Sequence, residues 1–167
     1  FPSFDHPGAD MVSVKDAPYL AKGAGATDDA DAIQRAIDSG AGVVLLPKGL
    51  YRISRSLVRG PATKLIGVAR TISVLMAMSD GLSGDGAAPQ PLLRAPASSE
   101  PVVVAYLTGV TWEHLGAVYG VQWDNHNHAS TWRQNYFYRI TECLYGFPRP
   151  AAEPSRVPTM PCKPSAL

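Results

Sequence analysis

The chain has 167 residues, which is enough for one domain with a sizeable core and too few for two domains of ordinary size. The 15 basic and 14 acidic residues give a net charge of +1, which argues against a dedicated nucleic-acid binder, and no apolar run approaches the roughly 20 residues of a membrane span. The 15 glycines and 15 prolines argue against a helix bundle and favour many short strands joined by turns.

One amphipathic helix is predicted near the start of the chain, over residues 28–39. Three apolar side chains have the i, i+3, i+7 spacing of a buried helical stripe: Ala30, Ile33 and Ile37. Thr27 or Asp28 is expected to be the N-cap. Asp28 and Asp29 are interpreted as acids that stabilise the helix start rather than as a catalytic pair.

Short apolar segments after the helix predict a series of strands. Residues 43–46 form a continuous apolar run closed by a proline, which predicts a strand buried on both faces. Residues 77–101 are rich in Gly and Pro and are predicted to be a loop, whereas residues 147–167 contain six prolines and are predicted to be an irregular tail. The further strand candidates are residues 51–53, 64–66, 72–76, 102–107, 110–115, 118–123 and 131–140.

Basic residues are concentrated in one part of the chain. Residues 43–75 contain six basic residues and no acidic residue. They are interpreted as solvated side chains on turns, with a binding surface for an acidic polymer as the alternative.

The sequence around the predicted helix resembles the opening of the pectate-lyase superfamily of right-handed parallel β-helices. The segments that carry the resemblance are VKD (14–16), AKGAGATDD (21–29), AIQRAI (32–37), VVLLPKGLYRI (43–53) and KLIG (64–67). Polygalacturonases, phage tailspikes and laminarinase-type exo-β-1,3-glucanases share this opening. The resemblance implies an all-β, right-handed parallel β-helix (solenoid) over residues 1–146, with the helix near 28–39 capping its N-terminal end.

Half of the 14 aromatic residues are concentrated in one short span that begins at Trp112. Strand alternation over residues 131–140 predicts Trp132 on one face and Arg133 and Arg139 on the other. Aromatic rings stack on the CH groups of sugars, and guanidinium groups donate hydrogen bonds to hydroxyls. Trp112, Trp132, Arg133 and Arg139 are therefore candidate substrate-binding residues, with filling of the solenoid interior as the alternative role of the aromatic rings.

Three acids in the same part of the chain are candidate catalytic residues: Glu113, Asp124 and Glu142. Two carboxylates on adjacent rungs of a solenoid could be the acid and the base of a glycosidase. A lyase would instead use acids that hold Ca²⁺ and an Arg or Lys base. Glu113 and Glu142 also have a structural alternative, which is an ion pair with Arg133 or Arg139.

The densest polar segment runs from Asp124 to His128. His126 and His128 would share one face of an extended segment, a spacing that metal sites use. Asparagines are common in solenoid turns, so a surface turn is the preferred interpretation. No metal site and no cofactor are predicted.

The two cysteines, Cys143 and Cys162, enclose 18 residues of which five are prolines. A disulfide that closes this loop is predicted if the protein is extracellular, and it would stabilise the fold by roughly 3 kcal/mol in the chain-entropy model.

These observations predict a secreted carbohydrate-active protein whose partner is a polysaccharide or oligosaccharide. A polysaccharide-degrading glycoside hydrolase, or the N-terminal part of one, is the first hypothesis. The alternatives are a non-catalytic glycan-binding or tailspike-like module and a polysaccharide lyase. The chain has room for only about four or five rungs of 20 to 30 residues each, so further rungs or a second copy of the chain are expected to complete the solenoid.

Overall fold

The structure is a computed structural model that describes residues 11–60, 63–78, 82, 90–112, 118–125 and 127–140. For Trp112 and residues 138–140 only the backbone is described. The predicted tail and both cysteines lie outside the described residues, so the tail and the disulfide stay predictions.

The described residues form 13 strands and one helix, α1 (Ala30–Asp38). The strands are β1 (Met11–Ser13), β2 (Ala24–Asp28), β3 (Val43–Leu46), β4 (Gly49–Ile53), β5 (Leu57–Val58), β6 (Lys64–Gly67), β7 (Ser73–Ala77), β8 (Gln90–Ala95), β9 (Val103–Ala105), β10 (Thr108–Trp112), β11 (Val118–Trp123), β12 (Thr131–Arg133) and β13 (Tyr136–Ile140).

These strands form three sheets, and every strand pairing in them is parallel. Sheet A has the order β1-β3-β6-β9-β12, sheet B the order β2-β4-β7-β10-β13, and sheet C the order β5-β8-β11. From β3 onward the chain visits sheets A, B and C in a fixed rotation, and we call one such passage a circuit. The predicted all-β character is confirmed.

Apolar side chains from successive circuits are aligned in columns between the sheets. In sheet A, Val44, Leu65 and Val104 are in register and fully buried. In sheet B, Tyr51 and Leu75 are likewise in register and fully buried. Strands of all three sheets contribute to this one core cluster, so the interior is built circuit by circuit.

The predicted helix is confirmed as α1, and its apolar stripe is buried as expected. Ile33 and Ile37 are 0% and 1% exposed, and the helix packs against β4 and β5. The helix therefore covers the end of the core at the first circuit. It is also the only helix in the part of the chain that the structure describes, and it is too short to span a membrane.

The helix start differs from the expectation by one residue, because Asp29 is the N-cap and not Thr27 or Asp28. The Asp29 carboxylate accepts hydrogen bonds from the backbone N–H groups of Lys22 (2.7 Å) and Gly23 (2.9 Å). The Asp28 carboxylate instead accepts from the Ala30 N–H at 3.0 Å. Both acids therefore have structural partners, but only the Asp28 carboxylate bonds to the helix, while that of Asp29 bonds to the segment before it.

Strand β3 has the predicted bounds, but only one of its faces is buried. Val44 and Leu46 are fully buried, whereas Val43 and Leu45 are half-buried. The sequence is apolar throughout because Val43 and Leu45 are half-buried on the outer surface of sheet A; the strand is not enclosed on both sides.

The predicted loop over residues 77–101 was wrong in its second half, because β8 (Gln90–Ala95) lies within it. Pro91 occupies the second position of this strand and is in register with Tyr119. The prolines that flank and interrupt β8 hid its apolar residues, Leu92 and Leu93, both fully buried.

The single strand predicted over residues 131–140 was also wrong, because a corner divides it into β12 and β13. Gln134 has a left-handed backbone (φ +54°) at this corner. The Asn135 amide group donates to the Val104 carbonyl oxygen at 2.8 Å and accepts from the Leu107 N–H at 3.0 Å. This side chain fixes the corner to the preceding circuit and ends the strand alternation.

Other strand predictions were close. The strands predicted at 51–53, 64–66, 72–76 and 118–123 correspond to β4, β6, β7 and β11, and the strand predicted at 102–107 is shortened to β9. The strand predicted at 110–115 begins two residues earlier, as β10. Strands β1, β2 and β5 were not predicted.

Candidate functional site

The outer surface of sheet C carries a row of side chains from three successive circuits. Val58, Arg94 and Gln122 are in register, and they alternate with the buried Leu57 and Leu93 of the core. Because strand residues point to opposite faces in turn, this row projects away from the core. Arg94 is exposed, and Val58 is 41% exposed.

An aromatic ring, an amide and a carboxylate are connected by hydrogen bonds on this surface. The Tyr119 hydroxyl donates to Gln122 Oε1 at 3.5 Å, and Gln122 Nε2 donates to Asp124 Oδ2 at 2.7 Å. Tyr119 is 37% exposed. We call Arg94, Tyr119, Gln122 and Asp124 the outer C face.

Asp124, one of the three predicted catalytic acids, is held at the end of strand β11. Its backbone N–H donates to the Ala95 carbonyl oxygen at 2.9 Å, which extends the pairing with β8 by one residue. Within the described residues, no hydrogen bond involves Asp124 Oδ1 and none involves the Arg94 guanidinium. The outer C face therefore offers a free acceptor and a free cationic donor to a ligand.

The other two predicted acids, Glu113 and Glu142, lie outside the described residues. The strands that precede them in sequence, β10 and β13, are neighbours in sheet B. Trp112 and Arg139 belong to these strands, where Trp112 is in register with Ile140 and Arg139 with Thr111. The backbones of Trp112 and Arg139 therefore lie in sheet B and not in sheet C.

Trp132 continues a column of the core. It is in register with Val104, which is fully buried and is itself in register with Leu65 of the preceding circuit. Its ring forms a T-shaped contact with Trp123 (5.6 Å between centroids) and a tilted contact with Phe137 (5.2 Å). Trp132 is 41% exposed as the last member of its column in the described chain.

Arg133 follows Trp132 in β12 and is in register with Ala105. Since alternation puts neighbouring residues of a strand on opposite faces, Arg133 takes the outer side of sheet A. The structure therefore distributes the predicted site residues over different sheets. Asp124 is the one predicted site residue whose described side chain lies on the outer C face.

The polar segment after Asp124 contains a tightly bonded turn. Asn125 is 6% exposed, and its amide nitrogen donates to the carbonyl oxygens of Ser98 (3.2 Å) and Glu100 (3.1 Å). Its amide oxygen accepts from the Asn127 N–H at 2.9 Å. This bonding supports the interpretation of the segment as a turn. His126 lies outside the described residues. The described residues contain no group of three side chains that could ligate a metal ion.

Three residues of the outer C face, Arg94, Tyr119 and Gln122, were missed as site residues by sequence reasoning. Arg94 lies within the segment that was predicted to be a loop, and Gln122 belongs to no sequence motif that indicates a site. Their partnership depends on a separation of 28 residues between circuits, which is repeated between Leu107 and Asn135.

Comparison with known proteins supports the expectation raised by the sequence. The sequence profile of the family described as "Rhamnogalacturonase A/epimerase, pectate lyase-like" matches residues 11–96, just over half of the chain. No curated protein and no solved structure gives a significant match. The matched residues include helix α1, the strands of sheets A and B in the first two circuits, and Arg94 of the outer C face. The chain therefore belongs to the pectate lyase-like, rhamnogalacturonase A/epimerase family.

Proposed function

We propose that the outer C face binds an acidic polysaccharide, and that the chain is part of a secreted, polysaccharide-degrading glycoside hydrolase. Membership of a pectate lyase-like family indicates a carbohydrate-active protein. The observation that carries the finer proposal is the hydrogen-bonded series Tyr119–Gln122–Asp124 beside the exposed Arg94. The family description names a rhamnogalacturonase, so the substrate class we propose is a uronate-containing pectic chain.

Each side chain of this face suits one part of such a ligand. The partly exposed Tyr119 ring can stack on the CH groups of a sugar. The Gln122 amide and Asp124 Oδ1 can hydrogen-bond to sugar hydroxyls. The Arg94 guanidinium can take a uronate carboxylate in a charge-assisted, bidentate hydrogen bond.

We propose further that the three parallel sheets are the faces of a right-handed parallel β-helix over residues 1–146. The fixed rotation through sheets A, B and C supports this architecture, since parallel strands joined by crossover connections are right-handed in nearly all cases. The buried columns of successive circuits support it as well.

The proposed reaction requires two carboxylates on either side of a glycosidic bond. Asp124 supplies one candidate on the outer C face. Glu113 and Glu142 remain candidates for the acid and base because the strands that precede them are in-register neighbours, β10 and β13. Trp112, Trp132, Arg133 and Arg139 remain candidates for substrate contacts away from this face.

One observation favours the second candidate function, a non-catalytic glycan-binding module. Of the four residues of the outer C face, Asp124 is the only carboxylate. If neither Glu113 nor Glu142 approaches this face, binding would occur without turnover. A lyase is the third candidate, with an arginine as the base.

Calorimetric titration with rhamnogalacturonan oligosaccharides tests the binding site. We expect Arg94→Gln to weaken binding of the acidic oligosaccharide about tenfold, as loss of a charge-assisted hydrogen bond would. Carboxyl-reduced oligosaccharides should bind the wild type and Arg94→Gln equally. Arg55→Gln is the matched control, because Arg55 is also an exposed arginine but is already paired, with Asp31 of α1. Equal binding by wild type and Arg94→Gln would refute the site.

A product assay separates the three functions. A hydrolase releases reducing ends without an unsaturated product, and loss of either of its two catalytic carboxylates should abolish this release. The substitutions Asp124→Asn, Glu113→Gln and Glu142→Gln identify which two carboxylates these are. A lyase would also create reducing ends, but it alone would leave an unsaturated, ultraviolet-absorbing uronate at the new non-reducing end. Binding without either product would identify the glycan-binding module.

A further inference from the structure

A recess lies on the outer surface of sheet B, a different sheet from the outer C face. Leu50, Val74, Thr108 and Tyr136 are in register across four strands of this sheet. The recess has a volume of about 420 Å³, within the range of small-molecule sites. It is lined by Leu50, Arg70, Thr71, Val74, Met76, Thr108, Val110 and Tyr136, and we call it the B recess.

The floor of the B recess is apolar. Met76 and Val110 are buried and pack against the half-buried Leu50 and Val74, as a cluster separate from the main core. Three of these side chains are hydrocarbon and the fourth is a thioether, a weak acceptor, so the floor offers little hydrogen bonding to the hydroxyls of a sugar. The floor is therefore suited to a hydrocarbon or aromatic group.

Arg70 contributes a cationic rim above this floor. Its guanidinium lies 4.8 Å from the centroid of the Tyr136 ring, which is 54% exposed. A cation–π contact of this kind depends on the charge of the guanidinium, whose edges carry five N–H donors. The contact that uses an edge is long, 3.5 Å from Nη1 to Gln134 Oε1.

The backbone that carries Arg70 is fixed to the sheet. The Thr108 hydroxyl donates to the Arg70 carbonyl oxygen at 2.5 Å. The cation–π contact with Tyr136 and this hydrogen bond hold the guanidinium beside the recess before any ligand arrives, which reduces the entropic cost of binding.

The charge of the B recess is unbalanced. Among the described residues that line the recess, Arg70 is the one charged residue and none is a carboxylate. In the described part of the chain Arg70 forms no ion pair. A ligand that complements the lining has one negative charge at one end and an apolar body of a few carbon atoms at the other.

We propose that the B recess binds a small amphipathic carboxylate, with its carboxylate on the edge of the Arg70 guanidinium and its apolar body on Leu50, Val74, Met76 and Val110. This site is independent of the outer C face and of the reaction proposed there.

Calorimetric titration with 3-phenylpropanoate tests the proposal, and the uncharged 3-phenylpropanamide is the matched ligand. We expect the carboxylate to bind at least tenfold more tightly than the amide. Arg70→Gln should remove that preference, whereas Arg94→Gln, a change of another exposed arginine, should leave it intact. Met76→Gln, which keeps the side-chain length but makes the floor polar, should weaken both ligands.

The proposal is overturned if the carboxylate binds no more tightly than the amide, or if Arg70→Gln keeps the preference. It is also overturned if Arg94→Gln loses the preference, because the carboxylate would then be bound at the outer C face. Thermal melts of each variant, which should match the wild type within a few degrees, exclude unfolding as the cause of lost binding.

Discussion

Gly67 lies against the backbone of Tyr106 in the next circuit. A β-carbon added to Gly67 would be 2.2 Å from the Tyr106 carbonyl oxygen, and 2.8 Å from a carbon of the Leu107 side chain. Tyr106 is fixed there in a left-handed conformation (φ +59°), at the corner between sheets A and B. The absence of a side chain at residue 67 therefore allows two circuits to approach each other at this corner.

Replacement of Gly67 by alanine should destabilise the fold by about 3 kcal/mol, because the clash is with backbone that cannot rotate away. Gly60→Ala is the control, since its added β-carbon would meet nothing closer than 3.6 Å. Urea denaturation measures both changes. Equal stability of the two variants would mean that the corner is able to separate without cost.

Loss of the Asp29 carboxylate should destabilise the fold strongly. Asp29 is 2% exposed, and Asp29→Ala leaves the N–H groups of Lys22 and Gly23 without an acceptor. We expect a loss of about 2–3 kcal/mol in the free energy of unfolding. Asp31→Ala, which removes an exposed partner of Arg55, should cost less than about 1 kcal/mol. A small effect of Asp29→Ala would show that water replaces its carboxylate.

Tyr51 should make the fold sensitive to alkaline pH. Burial, with a smaller contribution from the nearby Asp29 carboxylate, raises the pKa of the Tyr51 phenol. In the unfolded chain the phenol ionises near its ordinary pKa of about 10, so the unfolded state binds fewer protons above that pH and stability falls as pH rises. Tyr51→Phe should reduce this fall, as measured by urea midpoints on either side of that pKa.

The same variant should be less stable than the wild type at neutral pH. The Tyr51 hydroxyl donates to the Pro47 carbonyl oxygen at 2.8 Å, and its loss should cost about 1 kcal/mol. An alkaline profile of Tyr51→Phe parallel to that of the wild type would contradict the assignment of this pH dependence to Tyr51.

Arg59 is a buried cation with no ion-pair partner among the described residues. It is 1% exposed, and Nε donates to the Thr63 carbonyl oxygen at 2.6 Å, while Nη1 and Nη2 have no partner in the described part of the chain. Burial lowers the pKa of Arg59 to about 10. Arg59→Met should raise the free energy of unfolding by about 1 kcal/mol, because an apolar chain of similar length fills the space without the desolvation cost.

Arg55→Met is the control for this change, since Arg55 is exposed and its replacement should alter stability by less than about 1 kcal/mol. Destabilisation by Arg59→Met in thermal or urea unfolding would mean that the guanidinium has a favourable partner in solution.

Substitution of Trp132 tests whether its ring has a core role or a sugar-binding role. Its register with Val104 favours the core, so Trp132→Ala should lower the free energy of unfolding by about 2 kcal/mol, less than for a fully buried tryptophan. Binding of the acidic oligosaccharide should be unchanged. Tyr119→Ala should show the opposite pattern, weaker binding with little loss of stability. Weaker binding by Trp132→Ala at unchanged stability would support the sugar-binding role.

Local patterns in the sequence predicted those parts of the fold that depend on neighbours along the chain. The stripe of Ile33 and Ile37 predicted the helix, and the apolar run predicted β3. The corner at Gln134 was missed because a non-glycine residue has the left-handed conformation there. Strand β8 was missed because Pro91 is tolerated in it.

The candidate site was only partly predictable for a different reason. Asp124 was identified because acids are scarce in its part of the chain. Its neighbours on the outer C face depend on register between circuits, which brings Arg94 beside Gln122. No local pattern contains that information.

The connections from sheet B to sheet C differ greatly in length between circuits, while the strands on both sides stay in register. Three residues join β4 to β5, five join β10 to β11, and residues 78–89 join β7 to β8. The core thus places no demand on the length of this connection. A foreign peptide inserted there, or a longer segment at that point in another family member, could give the protein a new binding specificity without any change to the interior columns.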